Sequence, residues 1–313
     1  MTATAPEDPT AVVEVGLHRV GFDLLTPHVS AHDHEHRREV VLVEARLADG
    51  TVGWGECSAL SAPTYTAEHL DGAWLVLRDH LVPAFLSDRR PRVVGHPMAT
   101  AAVLTAISDA LLRRVERSLA TELAAVLGGN PSVAVPATAV VGRHATTEDL
   151  LATVARRLEA GAALVKLKVA EPADLDHVAA VRASWPEVPV AADLNGSGTD
   201  EVLRPLDRMG LAYLEQPAPA DELVASARIA AELSTPVALD ESIGSVGDLD
   251  VAVALGAGRI VNVKPARCGG PHRAAALVGR ARNAGWDAFV GGMLESGVGR
   301  AAALAVAAAP GCS

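Results

Sequence analysis

A strand-sized apolar run, a short polar or glycine-bearing turn and a helix-sized amphipathic stretch recur from residue 133 onward, at intervals of roughly 25 residues. The apolar runs cover 133–141, 164–169, 188–194, 211–215, 237–240, 259–263 and 288–290. Helical patterns fill the gaps at 147–160, 175–184, 200–209, 221–233, 246–255 and 271–284, and follow the last run at 299–309. Strands that alternate with helices across short loops can pair only in parallel, each helix carrying the chain back over the sheet. Seven such units predict an α/β fold of the (β/α)8 type, a modified TIM barrel. A doubly wound open sheet is the alternative. It would carry a glycine-rich phosphate loop after its first strand, and Val141-Gly142-Arg143 is not one.

The first 130 or so residues follow another pattern. Segments 12–19, 39–47 and 52–56 alternate like antiparallel strands, with Asp49-Gly50 as a hairpin turn, and 67–81 and 99–125 read as helices. This predicts an α+β capping domain over residues 1–131 and a barrel domain over 132–313. A Pro- and His-rich segment, 26–36, lies between the first two strands. Its alternate histidines, His32, His34 and His36, read as a solvated loop in preference to a metal site.

Composition removes several function classes. Lys plus Arg number 27 against 38 Asp plus Glu, a formal charge of −11, which argues against nucleic acid as a partner. Mean hydropathy is positive, yet no apolar run approaches the roughly 20 residues that span a bilayer. Met1–Thr10 has no basic or apolar leader character, and Cys57, Cys268 and Cys312 are too scattered for a disulfide framework or a zinc site. A cytoplasmic setting is the expectation. A homo-oligomer is compatible with this reading.

Chemistry in a TIM barrel is carried by residues at the C-terminal ends of its strands. The strand ends read Lys166-Leu167-Lys168, Asp193-Leu194-Asn195, Glu215-Gln216-Pro217, Asp240-Glu241-Ser242 and Asn262-Val263-Lys264-Pro265. Singly, each acid also reads as a helix cap or a loop residue. Asp193, Glu215 and Asp240 at three successive mouths would repel one another, and a hard divalent cation removes that cost; Mg2+ suits three carboxylates, with Mn2+ as an alternative. Glu241 is the rival ligand to Asp240, and is otherwise expected to orient Lys264 or Asn262. Lys168 and Lys264 stand four strands apart in a ring of eight, on opposite sides of a substrate carboxylate. That arrangement suits proton removal α to a carboxylate.

These motifs, in this order and spacing, resemble the muconate lactonizing subgroup of the enolase superfamily. Gly291–Arg300, Gly53-Trp54-Gly55-Glu56 and Ala62-Pro63-Thr64-Tyr65 are similar to its o-succinylbenzoate synthase / N-succinylamino acid racemase branch. The resemblance implies Lys168 as general acid/base and Lys264 as the lysine of the opposite face. It implies Asp193, Glu215 and Asp240 as metal ligands, and substrate contacts from Lys166, Asn195, Gly292, Met293 and Ser296. It places segment 26–36 where the family's mobile lid lies. The implied reaction is dehydration to o-succinylbenzoate in menaquinone biosynthesis, with racemisation of N-acyl amino acids as the alternative and a dipeptide epimerase further off. A non-catalytic barrel that binds an acidic metabolite is the reading from another class, and the intact set of acids and lysines argues against it. No eighth strand is visible before Ser313, so one more βα unit is expected.

Overall fold

The computed structural model describes residues 8–29, 34–87 and 93–312. Residues 1–7 and positions 30–33 of the expected lid, His32 and Asp33 included, lie outside them. Three antiparallel strands come first, β1 (Val12–Val29), β2 (His34–Leu47) and β3 (Val52–Cys57), in spatial order β1-β2-β3. β1 and β2 form one long hairpin, with Val20 opposite Val40 and a register shift between Asp23 and His28. The structure therefore puts strand on both flanks of the segment read as a loop.

Helices α1 (Leu70–Val76) and α2 (Val82–Leu86) are joined through a π-turn at Leu77–Leu81, and α3 (Pro97–Arg114) and α4 (Leu119–Val126) follow. The sequence pattern predicts one helix over 99–125, and the structure breaks it. Glu116 takes a left-handed conformation, and Ser118 opens α4 by accepting a hydrogen bond from the Thr121 amide. Apolar periodicity runs straight through this break, so only the cap chemistry marks it.

The second sheet has seven parallel strands: β4 (Thr138–Val141), β5 (Leu164–Lys168), β6 (Val190–Asp193), β7 (Leu214–Glu215), β8 (Val237–Leu239), β9 (Ile260–Val263) and β10 (Asp287–Val290). Each pairs with its sequence neighbour. Helices α5 (Thr147–Glu159), α6 (Leu175–Ser184), α7 (Asp200–Leu206), α8 (Leu223–Glu232), α9 (Val246–Leu255), α10 (Pro271–Asn283) and α11 (Gly297–Ala307) return the chain over the outer face. The sheet curls as part of a barrel, and among the described residues β4 and β10 are its edges. The first strand is shorter than its apolar run: Val133 is exposed and pairing starts only at Thr138, beyond Pro136. No helix among the described residues is long and apolar enough to cross a membrane.

Two aliphatic clusters fill the layer between strands and helices, one around Val165, Val190 and Leu214 and the other around Leu239, Val261 and Leu277. Inside the curl, the small side chains of Ala191 and Ala238 leave room for Tyr213, whose ring stacks on Phe289 at 5.4 Å. The low aromatic content thus reflects helices packed closely by alanine and valine.

The antiparallel sheet is pressed still more tightly onto α3. A Cβ on Gly55 would fall on the Ala102 carbonyl oxygen, and one on Gly53 on the backbone of Ala106 and Ala110. Backbone cannot yield as a flexible side chain does. Gly55→Ala is therefore expected to destabilise the protein by about 3 kcal/mol or more. Gly247→Ala, near the start of α9 where a Cβ meets only ordinary contacts, should be neutral or stabilising by up to about 1 kcal/mol. Thermal unfolding of the two variants checks this.

Candidate active site

Parallel register brings the predicted residues into a row. Lys168 on β5 lies beside Asp193 on β6, which lies beside Glu215 on β7. Asp240 follows directly after β8, and Lys264 directly after β9. The carboxylates are almost wholly removed from water, with Asp193 2%, Glu215 0% and Asp240 1% exposed.

Buried charge must be compensated nearby, and here it is. Lys166 Nζ donates to both Glu215 oxygens at 2.7 Å and lies 3.1 Å from Asp193 Oδ2. Lys168 Nζ donates to Asp193 Oδ2 at 2.7 Å and to Asn195 Oδ1 at 2.6 Å. Lys264 Nζ is 2.7 Å from Asp240 Oδ2, and Arg267 Nη2 donates to Asp240 Oδ1 at 2.6 Å. Lys168 and Lys264 therefore bracket the row of acids from its two ends.

The proton affinities follow from this geometry. Burial would raise all three acids. At Asp193, Lys166 and Lys168 overcome it and hold the carboxyl below its usual range, and Lys264 and Arg267 do the same for Asp240. At Glu215, burial and the adjacent charge of Asp193 prevail over Lys166, and the carboxyl is pushed up to about 7. Burial works against the Lys166 ammonium, but Glu215 and Asp193 outweigh it and raise its pKa well above the ordinary value.

The donor set fits a hard divalent cation: three buried carboxylates that feel one another's charge, all oxygen ligands. Ammonium groups carry the positive charge in this arrangement, with Lys166 Nζ wedged between Glu215 and Asp193. Among the described residues no three acids, histidines or cysteines are gathered closely enough to share one ion.

Two strand-end residues occupy left-handed backbone conformations that cost a non-glycine residue of order 1 kcal/mol: Asn195 (φ 45°) and Gln216 (φ 43°). Their side chains explain why they stand there. Asn195 accepts from Lys168 and donates to Glu241 Oε1 at 3.0 Å. Gln216 donates to Ser242 Oγ and to the Ala218 carbonyl, and accepts from the Asp240 amide. Glu241 thus meets Asn195; no hydrogen bond joins it to Lys264 or Asn262, where it was expected. Asn262 instead donates to Glu215 Oε1 at 2.9 Å.

Sequence reasoning missed two members of the cluster. Arg267, three residues past Lys264, is 7% exposed and donates to the Asp240 carbonyl as well as to its carboxylate. Tyr65, quoted above only for its motif, reaches in from the first domain. Its hydroxyl accepts from Lys264 Nζ at 2.7 Å and from Arg267 Nη1 at 3.0 Å, and the Lys264 ammonium lies 4.9 Å from its ring centre. A contact between residues 199 apart leaves no signal in local spacing.

Gly292, Met293 and Ser296 stand apart from these bonded groups, on the loop from β10 to α11. Met293 packs against the core of the first domain, and its carbonyl accepts from Arg38 at 3.3 Å. The Ser296 hydroxyl caps α11 by accepting from the Val298 amide, and donates to Glu56.

Comparison with known proteins gives the family. The family model described as "Mandelate racemase / muconate lactonizing enzyme, N-terminal domain" matches residues 12–124. That described as "Enolase C-terminal domain-like" matches 149–313. The chain is 36% identical to an N-succinylamino acid racemase from Amycolatopsis sp, over 95% of this chain and 83% of that protein. It is 35% identical to an o-succinylbenzoate synthase from Geobacillus stearothermophilus, over 93% and 80%. A solved structure titled as a probable mandelate racemase from Alicyclobacillus acidocaldarius superposes with TM-score 0.85 at 38% identity, over 95% and 81%.

The raised Glu215 pKa has a consequence for stability. A carboxyl that titrates near 7 when folded and near 4.5 when unfolded binds the extra proton in the native state between those values. Its stabilising contribution is complete below about pH 4.5 and is lost as pH rises through about 7. In chelator, Glu215→Gln is expected to flatten the decline between pH 5 and pH 7 by of order 1 kcal/mol. Urea unfolding of both proteins at the two pH values measures it.

Proposed function

The chain belongs to the mandelate racemase / muconate lactonizing enzyme family of the enolase superfamily, and from that premise we propose that it is an o-succinylbenzoate synthase. The reaction is removal of a proton α to a carboxylate followed by syn loss of water, a step of menaquinone biosynthesis. The observation that carries this reading is the row of three buried carboxylates bracketed by Lys168 and Lys264. Relatives at 35% identity or above bear both the synthase and the racemase names.

Asp193, Glu215 and Asp240 would hold Mg2+ or Mn2+, which when bound supplies charge stabilisation to the substrate carboxylate as its α-proton leaves. Lys168 takes that proton and returns it to the departing hydroxyl. One residue can serve for both transfers, as syn stereochemistry allows, since proton and hydroxyl leave from the same face. Each lysine is salt-bridged to a carboxylate, and only an amine freed from that pairing has a lone pair to take a proton. Lys166 keeps positive charge beside Glu215 and Asp193, where a second anion, the substrate carboxylate, must approach. The buried walls around the row exclude water from the carbanionic carbon.

Lys264 favours a second reading. A dehydratase needs a base on one face only, whereas racemisation needs a proton donor on each. Both lysines are paired with acids of the same row, so racemisation of N-succinyl amino acids shares the first step and takes its second proton from Lys264.

A paired assay tests the proposal: 2-succinyl-6-hydroxy-2,4-cyclohexadiene-1-carboxylate against N-succinyl amino acids, each with Mg2+ and with EDTA. Turnover of the first with Mg2+ and loss of it in EDTA are expected. Lys168→Ala should lower kcat by about 10^2–10^4-fold. Racemase turnover alone would transfer the assignment to the second reading; no turnover of either substrate would refute both.

A further inference from the structure

The loop from β10 to α11 begins against the acid cluster and ends in the first domain's grip. A Cβ on Gly291 would strike Asn262 Oδ1, and Asn262 donates to Glu215. The next residues bridge to α11, whose first turn is held by Glu56 at the end of β3, in the other sheet and 240 residues earlier in the chain.

Glu56 is 5% exposed, and four donors converge on its carboxylate. Oε1 accepts from the Ser296 amide at 3.1 Å and from the Ser58 hydroxyl at 3.0 Å. Oε2 accepts from the Gly299 amide at 2.9 Å and from the Ser296 hydroxyl at 2.5 Å. A carboxylate is the natural group here, since it only accepts and sits at the positive end of a helix. Arg38 grips the same loop a few residues earlier. Its guanidinium donates to the carbonyls of Ser58 and Ala59 beside β3, and to Met293 in the loop.

We infer that Glu56 is a specificity-determining positioning residue: by fixing Ser296 and the start of α11, it sets the shape of the loop at residues 291–296, which carries the expected substrate contacts Gly292, Met293 and Ser296, and it takes no part in proton transfer. This rests on the reading of the barrel mouth given above. Two details support it. The single proton of Ser296 Oγ is committed to Glu56 and one of its lone pairs to the Val298 amide, so the hydroxyl meets a ligand as an acceptor only. Nothing on Glu56 bonds to Lys168, Lys264 or the three acids.

The bonding pattern makes glutamine an unusually poor substitute. One backbone N–H points at each oxygen of Glu56, and a backbone N–H cannot turn round to accept. Whichever way an amide is flipped, its NH2 faces the Ser296 or the Gly299 amide. Glu56→Gln should therefore disturb the loop as much as Glu56→Ala, while Ser296→Ala, which keeps both amide bonds, should disturb it less.

Hydrogen exchange over 291–300 and steady-state kinetics on the full chain with Mg2+ test this together. In Glu56→Gln, exchange of the Ser296 and Gly299 amides is expected to quicken at least tenfold, with exchange in β5 and β6 unchanged. KM should rise roughly tenfold, the scale of one unmade buried hydrogen bond, with kcat within threefold of wild type. Ser296→Ala should give an intermediate KM and an intact fold even where the Glu56 variants unfold. Unchanged exchange in 291–300, a Ser296→Ala variant with wild-type KM, or a fall in kcat at constant KM would each overturn the assignment. A wild-type protein inactive on both substrate classes would refute the reading of the mouth, while the exchange experiment, which needs no substrate, would still decide whether Glu56 holds the loop.

Discussion

Four acids and four cations share one buried volume at the mouth of the parallel sheet: Asp193, Glu215, Asp240 and Glu241 with Lys166, Lys168, Lys264 and Arg267. No acid there would stay ionised without its partners, because transfer of a lone carboxylate out of water costs several kcal/mol after relaxation. This charge balance is the condition on which the rest depends. It requires cations on strands that neighbour the acids, which parallel register supplies. Side-chain amides add to it: Asn195 donates to Glu241, Asn262 donates to Glu215, and Gln216 accepts from the Asp240 backbone amide. Two of those amides sit on strained backbone, so the cluster holds the strand ends in conformations that the chain alone would avoid.

The charged cluster is also where the two sheets meet functionally. The first domain contributes no acid to the row. It contributes grips: Tyr65 on Lys264 and Arg267, Arg38 on the Met293 carbonyl, and Glu56 on the start of α11. All three bind groups after β9 or β10, so the cap seizes one side of the mouth. Its close seat on α3 through Gly53 and Gly55 gives those grips a rigid mounting.

How much of this was legible in the sequence follows from range. That Asp193, Glu215, Asp240, Lys168 and Lys264 come together is legible because each stands at or just past a strand end and the strands recur at a nearly constant interval, a local pattern. The seven parallel strands were found for the same reason, though β7 proved to be only Leu214–Glu215 where the apolar run begins at residue 211. Partners were not legible. The strand-end pattern suggests Lys264 or Asn262 as the partner of Glu241, whereas the curl of the sheet brings it to Asn195, 46 residues away. The helix break between Arg114 and Leu119 was hidden because hydrophobic spacing continues through it. The hold of Glu56 on α11 spans 240 residues, and no spacing rule reaches that far.

The two lysines look equivalent in sequence and are not equivalent in space. Lys168 is bonded wholly within the parallel sheet, to Asp193 and Asn195. Lys264 is bonded to Asp240 from the same sheet and to the Tyr65 hydroxyl from the cap, with Arg267 close enough to donate to that same hydroxyl. An ammonium shared with a neighbouring guanidinium and an aromatic face feels a different field from one between a carboxylate and an amide. In the proposed dehydration the base would be the lysine that the barrel holds by itself. Racemisation would also take a proton through Lys264, the lysine that Tyr65 of the cap contacts. A single set of acids thus meets two differently held lysines, one bonded within the barrel and one bonded also to the cap.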